Sequence, residues 1–325
     1  MPGTRDFLYD LYNAGMSSEP KKRGRAARLL AEQRLTEKRN AASKSLDHMT
    51  AREIVRLMNR EDRKVGRAVG RESAAIARAV DAIVSAIRKG GRLIYVGAGS
   101  SGRMGVLDAA ECPPTFGISP NLVVALIAGG RRAITRAVEG AEDSERNGAR
   151  DLRAKKLTRR DVVVGIAASG TTPYVVGSLK YARARGAMTV AVTSNLRMPV
   201  GRVARIVIAP EVGPEVLTGS TRLKAGTSQK MVLNMLSTGV MARLGHVYEN
   251  LMIDMLLTNE KLAERAVRIL VEASGASVSA AEQALRAGGH DLRVGLVMLK
   301  LGIGAAEARK RLKAAGGSLQ RALGE

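Results

Sequence analysis

Aromatic residues are scarce in this sequence: they make up 2% of its 325 residues, and tryptophan is absent. Surfaces that bind single-stranded nucleic acid stack the bases on aromatic side chains, so a surface of that kind is not expected. The core must instead be built from Ala, Val, Leu, Ile and Met. Small and aliphatic side chains of this kind suit helices that pack closely on a β-sheet.

Cysteine is limited to Cys112, which excludes an internal disulfide and a cysteine cluster that holds a metal. The histidines lie far apart in the sequence, at His48, His246 and His290, so their spacing indicates no zinc site. No apolar run reaches the ~18 residues of a membrane span, and residues 1–25 lack the apolar run of a signal peptide. We therefore predict a soluble, cytoplasmic protein that binds neither a metal nor a membrane.

Acidic residues are outnumbered: 30 Asp and Glu stand against 53 Lys and Arg, which gives a formal net charge of +23. Such an excess favours anionic partners. The arginines are spread along the whole chain, however, as on solvated helix faces, and we predict no nucleic-acid partner. A DNA-binding regulator with its basic segment at 21–28 would need a helix-turn-helix, whereas residues 50–90 predict long helices that pack on a sheet.

Five apolar runs alternate with helical patterns along the chain. The runs are nearly continuous, which is typical of parallel strands covered on both faces, and they span residues 92–97, 122–129, 161–168, 188–194 and 205–210. They predict an α/β fold with a doubly wound five-stranded parallel sheet. Helices precede the sheet, and Thr50 and Glu53 are predicted to cap the first of them. Ligands of such a sheet bind beyond the carboxyl ends of its strands, where the strand order reverses.

Composition divides the chain into three predicted parts. Residues 1–34 are polar and then strongly basic, and they are predicted to be an extension. Residues 35–271 are predicted to form the sheet domain. Residues 272–325 are rich in alanine, and glycines divide them into short helical patterns, which predicts a small domain of three helices.

The first apolar run leads into a glycine-rich turn with Gly97, Gly99 and Gly102. This spacing is typical of dinucleotide-binding turns. A dinucleotide site also requires an acidic residue at the end of the second strand, and residues 129–132 are Gly-Gly-Arg-Arg there. The residues therefore disfavour NAD, and only NADP, whose 2′-phosphate suits an arginine, stays open as an alternative.

Hydroxyl residues follow three of the predicted strands. They are Ser100 and Ser101 after the first, Ser169 and Thr172 after the third, and Ser220 and Thr221, with Lys224 beside them, after the fifth. Hydroxyls and free N–H groups at helix starts suit a compact anion such as a phosphate ester. Three such turns at one sheet edge predict a bound sugar phosphate. The alternative is that each hydroxyl only caps its own helix.

Four longer motifs resemble the N-acetylmuramic acid 6-phosphate etherases, which have the sugar isomerase (SIS) fold and are related to the glucokinase regulatory protein. The motifs are GAGSSGRMGVLDAAECPPTFG, AVEGAEDSE, DVVVGIAASGTTPYV and GPEVLTGSTRLKAGTSQKMVLNMLSTG. The resemblance covers most of the chain from Leu35 onward. It implies cleavage of the C3 lactyl ether of a cytoplasmic sugar phosphate in cell-wall recycling, with D-lactate as one product. It also implies no metal or nucleotide cofactor, and a homodimer with its sites near the interface.

The resemblance implies that Glu111 and Glu142 are the two functional carboxylates. In the ring-opened sugar the C2 proton is acidic because C2 lies beside an aldehyde, so a carboxylate can remove it. We assign Glu111 as the acid–base residue nearest the scissile bond, a role that predicts partial burial and a raised pKa. Glu142 is assigned to ring opening or to activation of water. Each such proton transfer typically contributes ~10²- to 10⁴-fold to the rate.

The other predicted site residues bind the substrate. Contacts with the phosphate and the sugar are predicted for Ser100, Ser101, Ser169 and Ser220, with Thr172, Thr221 and Lys224 behind them. Glu215, in the GPEV sequence, is predicted to handle a sugar hydroxyl.

The sequence departs from the family at several positions. Thr171 replaces the arginine of the usual ASGRTPY turn, residues 194–196 are Ser-Asn-Leu instead of Cys-Asn-Pro, and Glu249 replaces a glycine. Arg131 and Arg132 stand where acidic residues are common. These departures concern the exact substrate more than the reaction. Two alternatives stay open: a non-catalytic sugar-phosphate sensor, and an aldose–ketose isomerase on the same fold.

Overall fold

A computed structural model describes residues 34–257 and 260–325 of the protein. The predicted extension, apart from Arg34, and its basic segment at 21–28 lie outside the described residues. Three single turns of 3₁₀ helix come first, at Leu35–Glu37, Ala41–Ser43 and Leu46–His48. In the part of the chain that the structure describes, no helix combines the length and the apolarity needed to cross a membrane.

After two α-helices come the strands, which are separated by one or two α-helices each, and further helices come after the last strand. The strands are β1 (Leu93–Gly97), β2 (Val123–Ile127), β3 (Val162–Ile166), β4 (Met188–Val192) and β5 (Ile206–Ile208). The helices up to the end of the sheet region are α1 (Ala51–Gly70), α2 (Ser73–Arg88), α3 (Gly99–Phe116), α4 (Arg132–Thr135), α5 (Glu145–Ala154), α6 (Pro173–Ala184), α7 (Pro199–Val203) and α8 (Lys224–Leu244). The later helices are α9 (Glu260–Ser274), α10 (Val278–Ala287), α11 (Leu292–Leu301), α12 (Ala305–Ala314) and α13 (Leu319–Leu323).

All five strands run parallel, in the order β2-β1-β3-β4-β5. Each strand lies within the apolar run that predicted it, so the doubly wound five-stranded sheet is confirmed. The strand order reverses between β1 and β3, because the chain steps from β1 to β2 and then crosses to β3 on the other side. Gly97 pairs with Ile166 at this point. The turns after β1 and β3 therefore leave the sheet side by side, about 4.8 Å apart.

Helices cover both faces of the sheet. Leu93 and Tyr95 of β1 pack into a core with α1, α2, α3 and α8, whereas Ile94 and Val96 pack with α5, α6 and α7 on the other face. All four side chains are fully buried. Burial on both faces is why the strands are continuous apolar runs rather than alternating ones.

The start of α1 confirms the predicted cap. The Thr50 hydroxyl accepts a hydrogen bond from the Glu53 backbone N–H, and the Glu53 carboxylate accepts one from the Thr50 N–H at 2.8 Å. The two side chains thus satisfy backbone donors that have no partner within the helix.

The chain beyond α8 packs into a helical cluster of its own, with a core that runs from Tyr248 to Ala322. We predicted three short helices in residues 272–325, but four lie there, α10 to α13, after the end of α9. Gly316 and Gly317 both adopt positive φ and separate α12 from α13, a break that the prediction omitted.

Candidate active site

The turn between β1 and α3 is as tight as its glycine spacing predicts. A side-chain carbon at Gly97 would lie 2.7 Å from the backbone nitrogen of Gly102, and one at Gly102 would lie 2.6 Å from Ile127. Glycine is therefore required at both positions, because the strand and the helix approach each other within contact distance. This approach leaves the first N–H groups of α3 at the sheet edge.

Ser100 and Ser101 lie in the first turn of α3. The residue at the cap position is Ala98, which has no hydroxyl, so no side chain there satisfies the helix N–H groups. Ser101 is buried and Ser100 is half-buried. Both serines thus belong to the first turn of α3, near its partial positive charge, and neither is the cap residue.

The turn between β3 and α6 presents a second group of hydroxyls. The Ser169 hydroxyl accepts hydrogen bonds from the backbone N–H of Thr171 at 3.2 Å and from its hydroxyl at 3.1 Å. Thr172 occupies the cap position of α6, but its side chain makes no capping hydrogen bond. Half-buried hydroxyls and a helix N-terminus therefore meet beside the first turn, which is the arrangement that a phosphate ester favours.

The third turn, before α8, is occupied by a carboxylate of the protein itself. Glu215 is fully buried, and its two oxygens accept hydrogen bonds from the backbone N–H groups of Lys224, at 3.0 Å, and Ala225, at 2.9 Å. Burial raises the pKa of Glu215 above its ordinary value. Glu215 thus caps α8, and its predicted contact with a sugar hydroxyl stays a prediction.

The side chain of Lys224 is also paired within the protein. It is 1% exposed, and its Nζ lies 2.8 Å from Oε2 of Glu61, which is also buried. Burial alone would raise the pKa of Glu61, but hydrogen bonds from Lys224 and Lys64 outweigh burial and lower that pKa to about 2. The ammonium of Lys224 therefore already has a partner, and its predicted contact with the phosphate stays a prediction.

Ser220 and Thr221 are half-buried in the same turn. The turn is tied to the rest of the site through Gly219, whose N–H donates to the backbone oxygen of Thr36 at 3.3 Å. The Thr36 hydroxyl in turn accepts a hydrogen bond from Asn195, which also donates to the Ala168 backbone oxygen before the second turn. Residues of the segment before α1 thus connect the second and third turns.

Glu111 lies on α3, ten residues beyond Ser101, which is about 15 Å along the helix axis. Its side chain is exposed, so our prediction of partial burial is wrong for the chain that the structure describes. One turn earlier, the buried carboxylate of Asp108 accepts hydrogen bonds from the Tyr95 hydroxyl at 2.8 Å and from Ser237 at 3.0 Å. Burial raises the pKa of Asp108. This network joins α3 to β1 and to α8 one turn before Glu111.

Glu142 lies beside the second turn. Its backbone oxygen accepts a hydrogen bond from the N–H of Tyr174 at 2.9 Å, two residues after Thr172. The Glu142 side chain is exposed, yet desolvation by the surrounding protein and the neighbouring carboxylate of Asp143 both raise its pKa. A raised pKa suits proton transfer near neutral pH. The backbone of Glu142 is thus tied to the second turn, whereas Glu111 lies about three helical turns from Ser101 along α3.

Two buried residues of this region were not predicted from the sequence. Glu61 follows Leu57 and precedes Val65 at four-residue spacing, so it lies on the apolar face of α1. A carboxylate on an apolar stripe indicates a buried cationic partner, and this signal was available in the sequence. Asn195 follows β4, and its side chain joins the segment before α1 to the second turn. Its only sequence signal is a polar residue at the carboxyl end of a strand.

Two family models match the chain. The model of the glucokinase regulatory protein N-terminal SIS domain matches residues 75–183, and the SIS domain model matches residues 136–239. Together the matched residues include all five strands and all three hydroxyl turns. The predicted SIS-type fold is confirmed.

Curated relatives match over nearly their whole length. The N-acetylmuramic acid 6-phosphate etherase of Pectobacterium atrosepticum is 53% identical, over 89% of this chain and 95% of its own. The N-acetylmuramic acid 6-phosphate etherase of Clostridium beijerinckii is 52% identical over the same shares, 89% and 95%. Among solved structures, a phosphoheptose isomerase from Neisseria gonorrhoeae is 16% identical, with a TM-score of 0.47 over 59% of this chain and 100% of the other.

Proposed function

The chain belongs to the N-acetylmuramic acid 6-phosphate etherase family, and we propose that it cleaves the C3 lactyl ether of N-acetylmuramic acid 6-phosphate with water. The products are N-acetylglucosamine 6-phosphate and D-lactate. The reaction serves the recycling of cell-wall amino sugars, and we place it in the cytoplasm. The observation that carries the proposal is the pair of hydroxyl turns at the switch point of the sheet, with Glu142, whose pKa is raised, joined through its backbone to the second turn.

We assign the substrate phosphate to these two turns. Ser100 and Ser101 lie in the first turn of α3, and Ser169 and Thr172 lie beside the start of α6. The N-terminus of α3 presents backbone N–H groups that no side-chain cap satisfies, and its partial positive charge favours an anion. At α6 the Tyr174 N–H already donates to the Glu142 backbone oxygen, so we assign the phosphate there to the hydroxyls of Ser169 and Thr172. The phosphate thus receives hydrogen bonds from two neighbouring turns, which fixes the sugar relative to the sheet edge.

Bond cleavage then proceeds by elimination and hydration. In the ring-opened aldehyde, the carboxylate of Glu111 removes the C2 proton, and the electron pair expels the lactyl oxygen from C3. The leaving lactate takes up a proton, and an unsaturated aldehyde remains. Water adds to C3, and a proton returns to C2. Glu142 opens the sugar ring or activates this water, roles that its raised pKa supports.

Two copies are needed to complete the site. Glu111 is exposed and lies about 15 Å along α3 from the serines of its own copy. The same helix and its neighbour α8 also carry exposed apolar side chains: Leu107, one turn earlier on α3, is 49% exposed, and Met235 on α8 is 43% exposed. An apolar face that carries a functional carboxylate favours burial against a second copy of the chain. We propose a homodimer in which Glu111 of one copy serves the phosphate turns of the other.

The reaction is tested by incubating the purified protein with N-acetylmuramic acid 6-phosphate in water enriched in ¹⁸O. Elimination and hydration place the label at C3 of the product sugar. The Glu111→Gln variant should release lactate ~10²- to 10⁴-fold more slowly, with an unchanged melting curve. Glu139→Gln, at an exposed glutamate near Glu142, is the matched control and should keep full activity. Label in the lactate instead of at C3 would refute the mechanism.

Sharing of the site is tested by mixing two inactive variants, Glu111→Gln and Glu142→Gln, after dissociation and reassociation. If each site combines Glu111 of one copy with Glu142 of the other, every heterodimer contains one intact site. An equal mixture then regains about a quarter of the activity of the unchanged protein, since half of the dimers are mixed. A mixture that stays inactive would place both glutamates in the same copy.

A further inference from the structure

The segment just before α1 forms one wall of the candidate site. The backbone N–H of Leu35 donates to Oδ1 of Asn195 at 2.7 Å, and the Asn195 amide donates to the Thr36 hydroxyl at 3.3 Å. On its other side, the Thr36 backbone oxygen accepts a hydrogen bond from Gly219. Thr36 and Asn195 are both buried. The segment is therefore held at a defined position between the second and third turns.

This anchoring places the guanidinium of Arg34 at the second hydroxyl turn. Nη1 of Arg34 lies 3.5 Å from the Thr171 hydroxyl, within the turn that also contains Ser169 and Thr172. The Arg34 side chain is 21% exposed. Its Nε is buried and has no hydrogen-bond partner among the described residues.

The charge of Arg34 is incompletely neutralised. Its ion-pair partner among the described residues is Glu37, whose Oε1 lies 3.8 Å from Nη1, beyond hydrogen-bond distance. Glu37 itself is 40% exposed, so water screens this pair. A guanidinium carries five N–H donors, and a mostly buried one requires acceptors for them. The donors of Arg34 therefore suit an anion bound at the turn that they face.

We propose that Arg34 binds the phosphate ester of the substrate, together with the hydroxyls of Ser169 and Thr172. This inference rests on the proposed binding of a sugar phosphate at the two open turns. Guanidinium and phosphate pair through two parallel hydrogen bonds, which makes arginine the preferred partner of this group. Thr171 stands where the resembled turn has an arginine, and the contact of Arg34 with the Thr171 hydroxyl brings a guanidinium to this turn from the segment before α1.

The test is calorimetric binding of N-acetylglucosamine 6-phosphate, which carries the phosphate and lacks the lactyl carboxylate. Arg34→Ala should weaken its binding by about 10- to 100-fold, as expected for loss of charge-assisted hydrogen bonds. Arg34→Lys keeps the charge without the planar fork and should recover part of the loss. The matched control is Arg159→Ala, at an exposed arginine before the amino end of β3, which should bind with unchanged affinity. Each variant should melt like the unchanged protein.

A rescue variant separates binding from a structural role. Arg34→Ala combined with Thr171→Arg restores a guanidinium to the turn from the other side and should recover most of the affinity for N-acetylglucosamine 6-phosphate. Unchanged affinity in Arg34→Ala would overturn the inference. A loss confined to N-acetylmuramic acid 6-phosphate would also overturn it, because Arg34 would then contact the lactyl carboxylate. Failure of the proposed reaction is seen separately, as absent lactate release by a protein that still binds the product sugar through Arg34.

Discussion

Three turns of this protein have the same kind of sequence, with glycine and hydroxyl residues before a helix, yet the structure treats them differently. The turns after β1 and β3 leave the N-termini of α3 and α6 without a side-chain cap. The turn before α8 is filled by Glu215, which accepts hydrogen bonds from two backbone N–H groups. The third turn thus contains an internal anion, whereas for the first two turns we propose an external one, the phosphate of the substrate.

The comparison teaches that glycine and hydroxyl residues before a helix do not by themselves indicate an anion site. A carboxylate of the protein can already accept the hydrogen bonds of the helix start. At α8 the protein supplies a buried carboxylate for the helix end, and a second one, Glu61, for the ammonium of Lys224. Both charges are compensated before any ligand arrives. At the second turn, by contrast, the charged group that contacts a turn hydroxyl is the guanidinium of Arg34, which is cationic. We therefore expect changes at the third turn to act on stability and changes at the first two to act on binding.

The largest expected effect is loss of stability in Glu61→Gln. This change leaves the ammonium of Lys224 buried without a charged partner, which costs about 3–5 kcal/mol of unfolding free energy. Urea unfolding at pH 7 measures the loss. The double variant Glu61→Gln with Lys224→Met removes both charges and should be clearly more stable than the single one. Equal stability of Glu61→Gln and the unchanged protein would show that the third turn does not depend on this ion pair.

The same ion pair predicts a pH dependence. The pKa of Glu61 is lowered from its ordinary 4.5 to about 2 in the folded protein. Its contribution to stability is therefore complete above about pH 4.5 and is lost as the pH falls toward 2. The difference in unfolding free energy between the unchanged protein and Glu61→Gln should shrink over this range. A difference that stays constant from pH 7 to pH 3 would contradict the assigned pKa.

At the second turn, Ser169→Ala should weaken substrate binding rather than folding. The variant removes a hydroxyl that we assign to the phosphate, and loss of one hydrogen bond to a charged group weakens binding by about 10-fold. The KM for N-acetylmuramic acid 6-phosphate measures the effect. Ser119→Ala, at an exposed serine in the loop before β2, is the control and should leave KM unchanged. An altered melting temperature with unchanged KM would assign Ser169 to structure instead.

The smallest effects come from a matched pair of threonines at helix cap positions. The Thr50 hydroxyl caps α1, so Thr50→Ala should cost about 1 kcal/mol of stability and leave KM unchanged. The Thr172 hydroxyl makes no capping hydrogen bond, so Thr172→Ala should raise KM a few-fold at unchanged stability. Thermal unfolding and steady-state kinetics on both variants test the contrast. If both variants lost stability, or if both raised KM, the proposed contrast between a capping threonine and a substrate-binding threonine would be refuted.

Much of the fold was predictable because it depends on local patterns. The five strands follow from continuous apolar runs, and the tight turn at Gly97 and Gly102 follows from glycine spacing. The capping box at Thr50 and Glu53 lies within four residues of sequence. Each of these features has its physical cause within one strand, one turn or one helix end, where neighbouring residues decide the conformation.

The candidate site was predictable only in part, because its contacts join distant parts of the chain. Lys224 resembled a phosphate ligand in the sequence, but Glu61, 163 residues away, pairs with it. Glu111 was predicted to be partly buried, yet its position on α3 leaves it exposed in one copy. Arg34, 137 residues from Thr171, gave no local signal of a role in the site. No local pattern encodes such long-range contacts.

The amino-acid sequence by itself determined the sheet, its glycine turn and the helix caps, and it carried the motifs that identify the family. Only the tertiary structure decided which hydroxyl turns stay open, which charges are already paired, and that Arg34 faces the second turn. The reason is physical: apolar periodicity and backbone conformation are local, whereas the partner of a buried charge is chosen by packing between segments far apart in the chain.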